Sequence, residues 1–140
     1  MKQSRIFFVL SVLLLAALFC FTACAPAQEY QNGIYAGTGT FTSSTSTCEI
    51  KVQVHLSEDK ITKIVISGGP TVSGGNVSGS STNKEWEDGK DALLQKLAAM
   101  SIADIKAVDA NAKDFGDSDL CISGAWSYSA ALVLAVQDAL

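Results

Sequence analysis

Near the end of the chain, Ser123-Gly124-Ala125 leads directly into Trp126-Ser127-Tyr128-Ser129. These small residues open onto the start of an apolar stretch with helical spacing. Such an opening can bind an anion. The first N–H groups of a helix have no partner within it, the helix dipole favours negative charge there, and small residues let a phosphate reach the backbone. Ser127 and Ser129 would add hydroxyl donors. Trp126 and Tyr128 would add flat rings that either stack on an aromatic ligand or fill the space it would take. A plainer account of the same residues has Ser127 or Ser129 capping the helix while Gly124 makes the turn. Taken alone, the residues favour that plainer account.

Other chemistry is sparse. Ser81-Thr82-Asn83-Lys84 has the Ser-x-x-Lys spacing of penicillin-recognising enzymes, but it sits in Gly/Ser-rich sequence and the companion motifs are missing. There is no Gly-x-Ser-x-Gly elbow, and the single histidine, His55, does not suggest a hydrolase triad. Asp114, Asp117 and Asp119 lack the later bidentate glutamate of an EF-hand loop, and no His/Cys cluster has zinc-ligand spacing. The sequence thus predicts no catalytic residues and no metal site.

The elements that must position the terminal segment can be read from periodicity. Residues 34–41 are rich in Gly and Thr and carry Tyr35 and Phe41, as in a strand where Gly37 and Gly39 permit close backbone approach. In residues 48–56, Cys48, Ile50, Val52, Val54 and Leu56 alternate with Glu49, Lys51, Gln53 and His55. This period of two predicts a half-buried strand with Cys48 inside and His55 on the wet face. Glu58-Asp59-Lys60 turns the chain into a β-branched strand over 61–66. Ten of the seventeen residues from 67 to 83 are Gly or Ser, which predicts a long loop. Helical spacing follows at Leu93, Leu94, Leu97 and Met100 or Ser101. Residues 101–104 then cap a short helix carrying Ile102, Ile105 and Val108. Residues 109–119 are acidic and loop-like. The last helix uses Leu132, Val133, Val136 and Leu140, with Gln137 and Asp138 on its polar side. Strands first and helices later predict an α+β fold, a small antiparallel β-meander with helices packed on one face.

The start of the chain has a different character. Lys2 and Arg5 precede 18 uncharged residues, 6–23, that end in Phe21-Thr22-Ala23-Cys24. This resembles the lipobox of bacterial lipoprotein signals, in which the cysteine is diacylated and becomes the first mature residue. The organisation expected is a signal peptide at 1–23, a tether at 24–32 and one domain at 33–140. Two acyl chains suffice for stable anchoring, and cations ahead of the apolar run leave the domain outside the cytoplasm. The alternative is an uncleaved signal anchor with the same topology. From Cys24 onward there are 8 basic and 14 acidic residues, a net charge of −6. Without a Lys/Arg cluster this stretch lacks the electrostatic footprint for phosphate-backbone binding, so no nucleic-acid partner is expected. Cys48 and Cys121 remain after the leader and the lipidated cysteine are set aside. In an oxidising compartment they either form a disulfide or stay as two buried thiols.

A family resemblance bears on the terminal segment. Asn32-Gly33-Ile34-Tyr35-Ala36-Gly37-Thr38-Gly39 resembles the D-G-x-Y-x-G-x-G opening of the FMN-binding domain family. That family occurs in flavin-carrying subunits of sodium-pumping NADH:quinone oxidoreductase, in related electron-transport complexes and in many small lipoproteins. Glu58-Asp59-Lys60-Ile61 resembles the family's D-G-K-I hairpin, and Ser123-Gly124-Ala125 with the closing helix resembles its S-G-A-T-x-T-S ending. The resemblance implies an extracytoplasmic FMN-binding lipoprotein in electron transfer, with a redox partner protein and with phosphate held at residues 123–129. In covalent members the flavin is joined to the final threonine of S-G-A-T-x-T. Here Trp126 and Tyr128 replace both threonines and Leu120 replaces the leading aspartate. The expectation is therefore non-covalent FMN, with no flavin attached at Tyr128. The alternative is a cofactor-less lipoprotein that keeps the fold as a binding or assembly module.

Overall fold

The computed structural model describes residues 29–74 and 80–140, with side-chain surroundings from residue 84 onward in the second stretch. The leader and Cys24 lie outside the described residues. Three strands form one antiparallel sheet in the order β1-β2-β3: β1 is Gly33–Thr42, β2 is Thr47–Ser57 and β3 is Lys60–Ser73. Helices α1 (Ser80–Ala99), α2 (Ile102–Ala107) and α3 (Trp126–Ala139) follow, with a 3-10 turn at Phe115–Asp117 between α2 and α3. This is the expected α+β meander.

Strand β2 is central because its alternation is strict. Cys48, Ile50, Val52, Val54 and Leu56 are all buried, so neighbouring strands and a helix layer can close on one face. The β2–β3 hairpin turns at Glu58 and Asp59, both with left-handed backbone (φ 53° and 59°). Two backbone N–H groups fix this end of the sheet: Glu58 donates to Asn32 Oδ1 (2.8 Å) and Tyr30 to Asp59 Oδ1 (2.7 Å).

The long loop expected over residues 67–83 is corrected at both ends. Strand β3 continues to Ser73, pairing Lys51 with Gly68 and Cys48 with Val72, and α1 has already begun at Ser80. Only residues 75–79 of that stretch are undescribed. Gly and Pro are admitted because β3 is an edge strand, where Pro70 breaks no inner ladder. An irregularity in register lies between Glu49 and Lys51. There Gly69 takes φ +86°, and a Cβ on it would lie 2.5 Å from the Glu49 carbonyl oxygen.

Helix α3 lies across β1 and β2 and is buried on nearly every side. Contact is backbone to backbone. A Cβ at Gly37 would lie 2.0 Å from the Ala135 carbonyl oxygen, and one at Gly39 would lie 2.0 Å from that of Ala131. Ala131, Ala135 and Ala139, spaced four apart, present the matching flat side of the helix. The two polar residues near its end have structural tasks. Gln137 is half-buried and donates through Nε2 to the carbonyls of Ile105 (2.8 Å) and Val108 (2.7 Å), which joins α3 to the end of α2. Exposed Asp138 accepts the Thr38 N–H (2.9 Å) and so occupies part of the free edge of β1.

Ser101 caps α2 as expected, accepting the Asp104 N–H and donating to its carboxylate. Helix α1 packs on β3 through Leu93 and Leu97, and it also brings in Trp86, which is almost fully buried. His55 lies half-buried on the opposite face of β2 from the core, in register with Ile34 and Lys63.

Candidate functional site

The chain reaches α3 through a tight turn. Gly124 has φ +81°, which excludes side chains on conformational grounds. Space excludes them too, since a Cβ there would lie 1.9 Å from Glu85 Oε2. The carboxylate of Glu85 on α1 therefore packs directly on the Gly124 backbone.

Beside this turn is a groove of about 250 Å³ lined by Ser46, Cys48, Val72, Gly124, Trp126, Ser127 and Tyr128. Four of the seven residues from 123 to 129 thus come together. The other three do not line it. Ser123 is exposed away from it, and Ala125 is the buried N-cap residue, with no side chain able to cap the helix. Ser129 is fully buried and committed to the turn, its Oγ accepting the Ile122 N–H (2.9 Å) and donating to the Ala125 carbonyl (3.0 Å). The plainer account holds in part: Gly124 makes the turn, but neither serine caps the helix, and the Ser129 hydroxyl instead braces the turn from inside the first helical turn.

The two aromatic residues take opposite parts. Trp126 is 41% exposed at the groove rim, its ring 5.4 Å from that of Phe41 with the planes tilted by 53°. Tyr128 is buried, its ring edge-on to Trp86 at 5.6 Å. Burial, and secondarily the neighbouring Cys48, push the Tyr128 phenol up, so it stays protonated at neutral pH.

Electrostatics at the turn oppose an anion. Among the described residues no Lys or Arg lines the groove, and Glu85 already places a negative charge against the turn where an anion would approach the helix. The groove is also smaller than the roughly 300–1,000 Å³ typical of sites that enclose a whole small molecule.

Both cysteines are free thiols, so the disulfide alternative for Cys48 and Cys121 is not the arrangement adopted. Cys48 faces the groove, whereas Cys121 lines a separate hollow with Gly89, Lys96 and Asp119. Burial pushes the Cys48 thiol up to about 11, and it also raises Cys121. Because the thiolate is the reactive form, Cys48 should alkylate slowly in the folded protein at pH 7. Its rate should rise about tenfold per pH unit until near pH 11. Mass spectrometry of iodoacetamide-treated protein checks this, and rapid labelling at neutral pH would contradict it.

Sequence reasoning missed Ser46, Val72, Glu85 and Trp86. Val72 and Glu85 lay in or beside sequence whose Gly/Ser content pointed to a loop. Among the described residues no group of His, Cys, Asp and Glu could hold a metal ion, and no helix is long and apolar enough to cross a membrane. Comparisons with protein-family models, with curated proteins and with solved structures returned no significant match.

Proposed function

We propose that the chain is a lipid-anchored, extracytoplasmic flavin-binding protein that carries electrons, holding FMN non-covalently with its ring system against Trp126. The reading joins the lipobox ending at Cys24 and the family resemblance of residues 33–140 to one observation. That observation is a half-exposed tryptophan at the rim of a groove opened by Gly124 and Ser127. The flavin would supply the redox chemistry, while the protein would set its position and potential. Anchoring through Cys24 places the domain at the cell membrane on its outer side, and a redox protein is the partner that this role requires.

A second reading is favoured by Tyr128 and Glu85. Tyr128 fills core space against Trp86, and Glu85 lies on the turn that would receive phosphate. On this reading the fold persists as a cofactor-less binding or assembly module.

Titrating FMN into the soluble fragment from Gln28 onward separates the two. The flavin reading expects quenched flavin fluorescence and complete release of the flavin on denaturation. No quenching would leave the module. Glu85→Gln should strengthen FMN binding several-fold by removing the like charge beside the phosphate, with solvent screening holding the gain to about tenfold at most. Riboflavin, which lacks the phosphate, should bind the wild type and Glu85→Gln alike.

A further inference from the structure

The two ends of the sheet have different tasks. At one end residues 30–32, the last part of the stretch expected to be a tether, are clamped to the domain. The Tyr30 N–H is bound by Asp59, Asn32 accepts the Glu58 N–H, and Lys106 Nζ donates to the Tyr30 hydroxyl (2.7 Å) and to the Leu140 carbonyl (2.9 Å). The ammonium of Lys106 also stands 5.1 Å from the centre of the Tyr30 ring. The groove is at the other end. Ser46 belongs to the β1–β2 turn, Val72 is near the end of β3, and Trp126 packs on Phe41 near the end of β1.

Strand β1 leads from the clamped end at Gly33 to the groove end at Thr42, and α3 leads back from Trp126 toward Leu140 beside Lys106. Ten strand residues span roughly 30 Å. Fourteen helical residues span roughly 20 Å. The groove therefore lies 20–30 Å, roughly, from the point where the tether joins the domain.

We infer that the anchored domain stands on its Tyr30–Asp59–Lys106 end and presents the Trp126 groove away from the bilayer, to a protein partner in the aqueous compartment. The inference rests on the lipid-anchor reading of Cys24. From Cys24 to Glu29 there are five residue steps, which reach at most roughly 17 Å, so the clamped end stays close to the lipid. The clamp matters because it prevents residues 29–32 from peeling off and lengthening the leash. Ile34, a large apolar side chain that is 62% exposed, lies near the same end, where it can face the headgroup region. An electron carrier dissolved in the bilayer is held away from the groove by this arrangement, whereas a protein standing in the water phase reaches it directly.

Energy transfer tests the orientation on the full-length lipidated chain in vesicles carrying a fluorescent acceptor lipid. A donor dye is attached through Lys60→Cys at the clamped end or through Ser44→Cys in the β1–β2 turn, both exposed positions. The native Cys48 and Cys121 are raised thiols that label slowly at neutral pH. Transfer from the Lys60→Cys site should be at least twice that from the Ser44→Cys site. Equal transfer, or more from Ser44→Cys, overturns the inference. If the wild-type chain does not partition into vesicles, or if Cys24→Ser partitions equally well, the anchor fails and the orientation fails with it. The FMN titration on the soluble fragment would be untouched by that result.

Discussion

Gly39→Ala is expected to abolish the native fold or leave it only marginally stable, although it adds a single methyl group. The added carbon would lie 2.0 Å from the Ala131 carbonyl oxygen, 2.2 Å from the Ala135 nitrogen and 2.9 Å from the Ala135 Cα. All three are backbone atoms of α3, so no rotamer change can relieve the overlap. The helix would have to move outward by more than an ångström along the side where Ala131, Ala135 and Ala139 meet the sheet. That movement would loosen the buried layer formed by Leu132, Val133 and Val136 against Ile50, Val52 and Val54. Closely packed interiors do not absorb such shifts. A loss of about 4 kcal/mol or more is expected, comparable to the whole stability of a small domain. Gly116→Ala serves as the control, since a Cβ there meets nothing within 4 Å. Urea unfolding followed by circular dichroism should show a normal midpoint for Gly116→Ala and little or no cooperative transition for Gly39→Ala. A transition shifted by less than about 1 kcal/mol would show that α3 is not seated on this strand as described.

The same geometry changes the meaning of the Tyr-x-Gly-x-Gly pattern at residues 35–39. The glycines are explained by the docking of a helix of small residues, and neither lines the groove. The part of the resemblance carried by Gly37 and Gly39 is therefore a signature of packing. Evidence for a cofactor has to come from the turn at Gly124 and from Trp126.

How legible each element was depended on whether its cause was local. The alternation in β2 is set by one buried face, and the Ser101 cap by atoms three residues apart, so both can be read from spacing. The continuation of β3 through Gly68, Gly69 and Pro70 cannot. These residues have weak strand preference and are held by pairing with Lys51, Glu49 and Cys48 on a strand whose own pattern is strong. Gln137 and Asp138 looked like a solvated helix face because their partners, the carbonyls of Ile105 and Val108 and the N–H of Thr38, are about 30 to 100 residues away. At the candidate site, the small residues and the two rings were visible in the sequence, but their division of labour was not. It depends on Trp86 and Glu85, both on a helix whose first residues, 80–83, fall in the stretch read as loop and whose helical spacing shows only from Leu93. Trp86 packs edge-on against Tyr128 in the core, while Trp126 packs on Phe41 at the rim.

That division predicts unlike outcomes for two neighbouring aromatic substitutions. Trp126→Ala should weaken FMN binding by about tenfold or more, because stacking of a flat heterocycle on an aromatic side chain contributes roughly 1–3 kcal/mol. Its effect on stability should stay near 1 kcal/mol, since the ring is 41% exposed and, among the described residues, its aromatic neighbour is Phe41. Tyr128→Ala should do the reverse as its primary effect. Removing a buried ring from its edge-on contact with Trp86 leaves a cavity beside Cys48, at a cost of about 3–5 kcal/mol. Trp126→Phe should recover part of the lost affinity, because a smaller ring still offers a stacking face. Isothermal titration with FMN, paired with thermal unfolding of each variant, separates the two effects. If Trp126→Ala binds FMN as tightly as the wild type while remaining folded, the groove is not the flavin site. If affinity falls only in variants that also lose stability, the binding reports the fold and not a ring stacked at the rim. A loss of affinity in Trp126→Ala at nearly unchanged stability is the result that neither a remote site nor a cofactor-less module would produce.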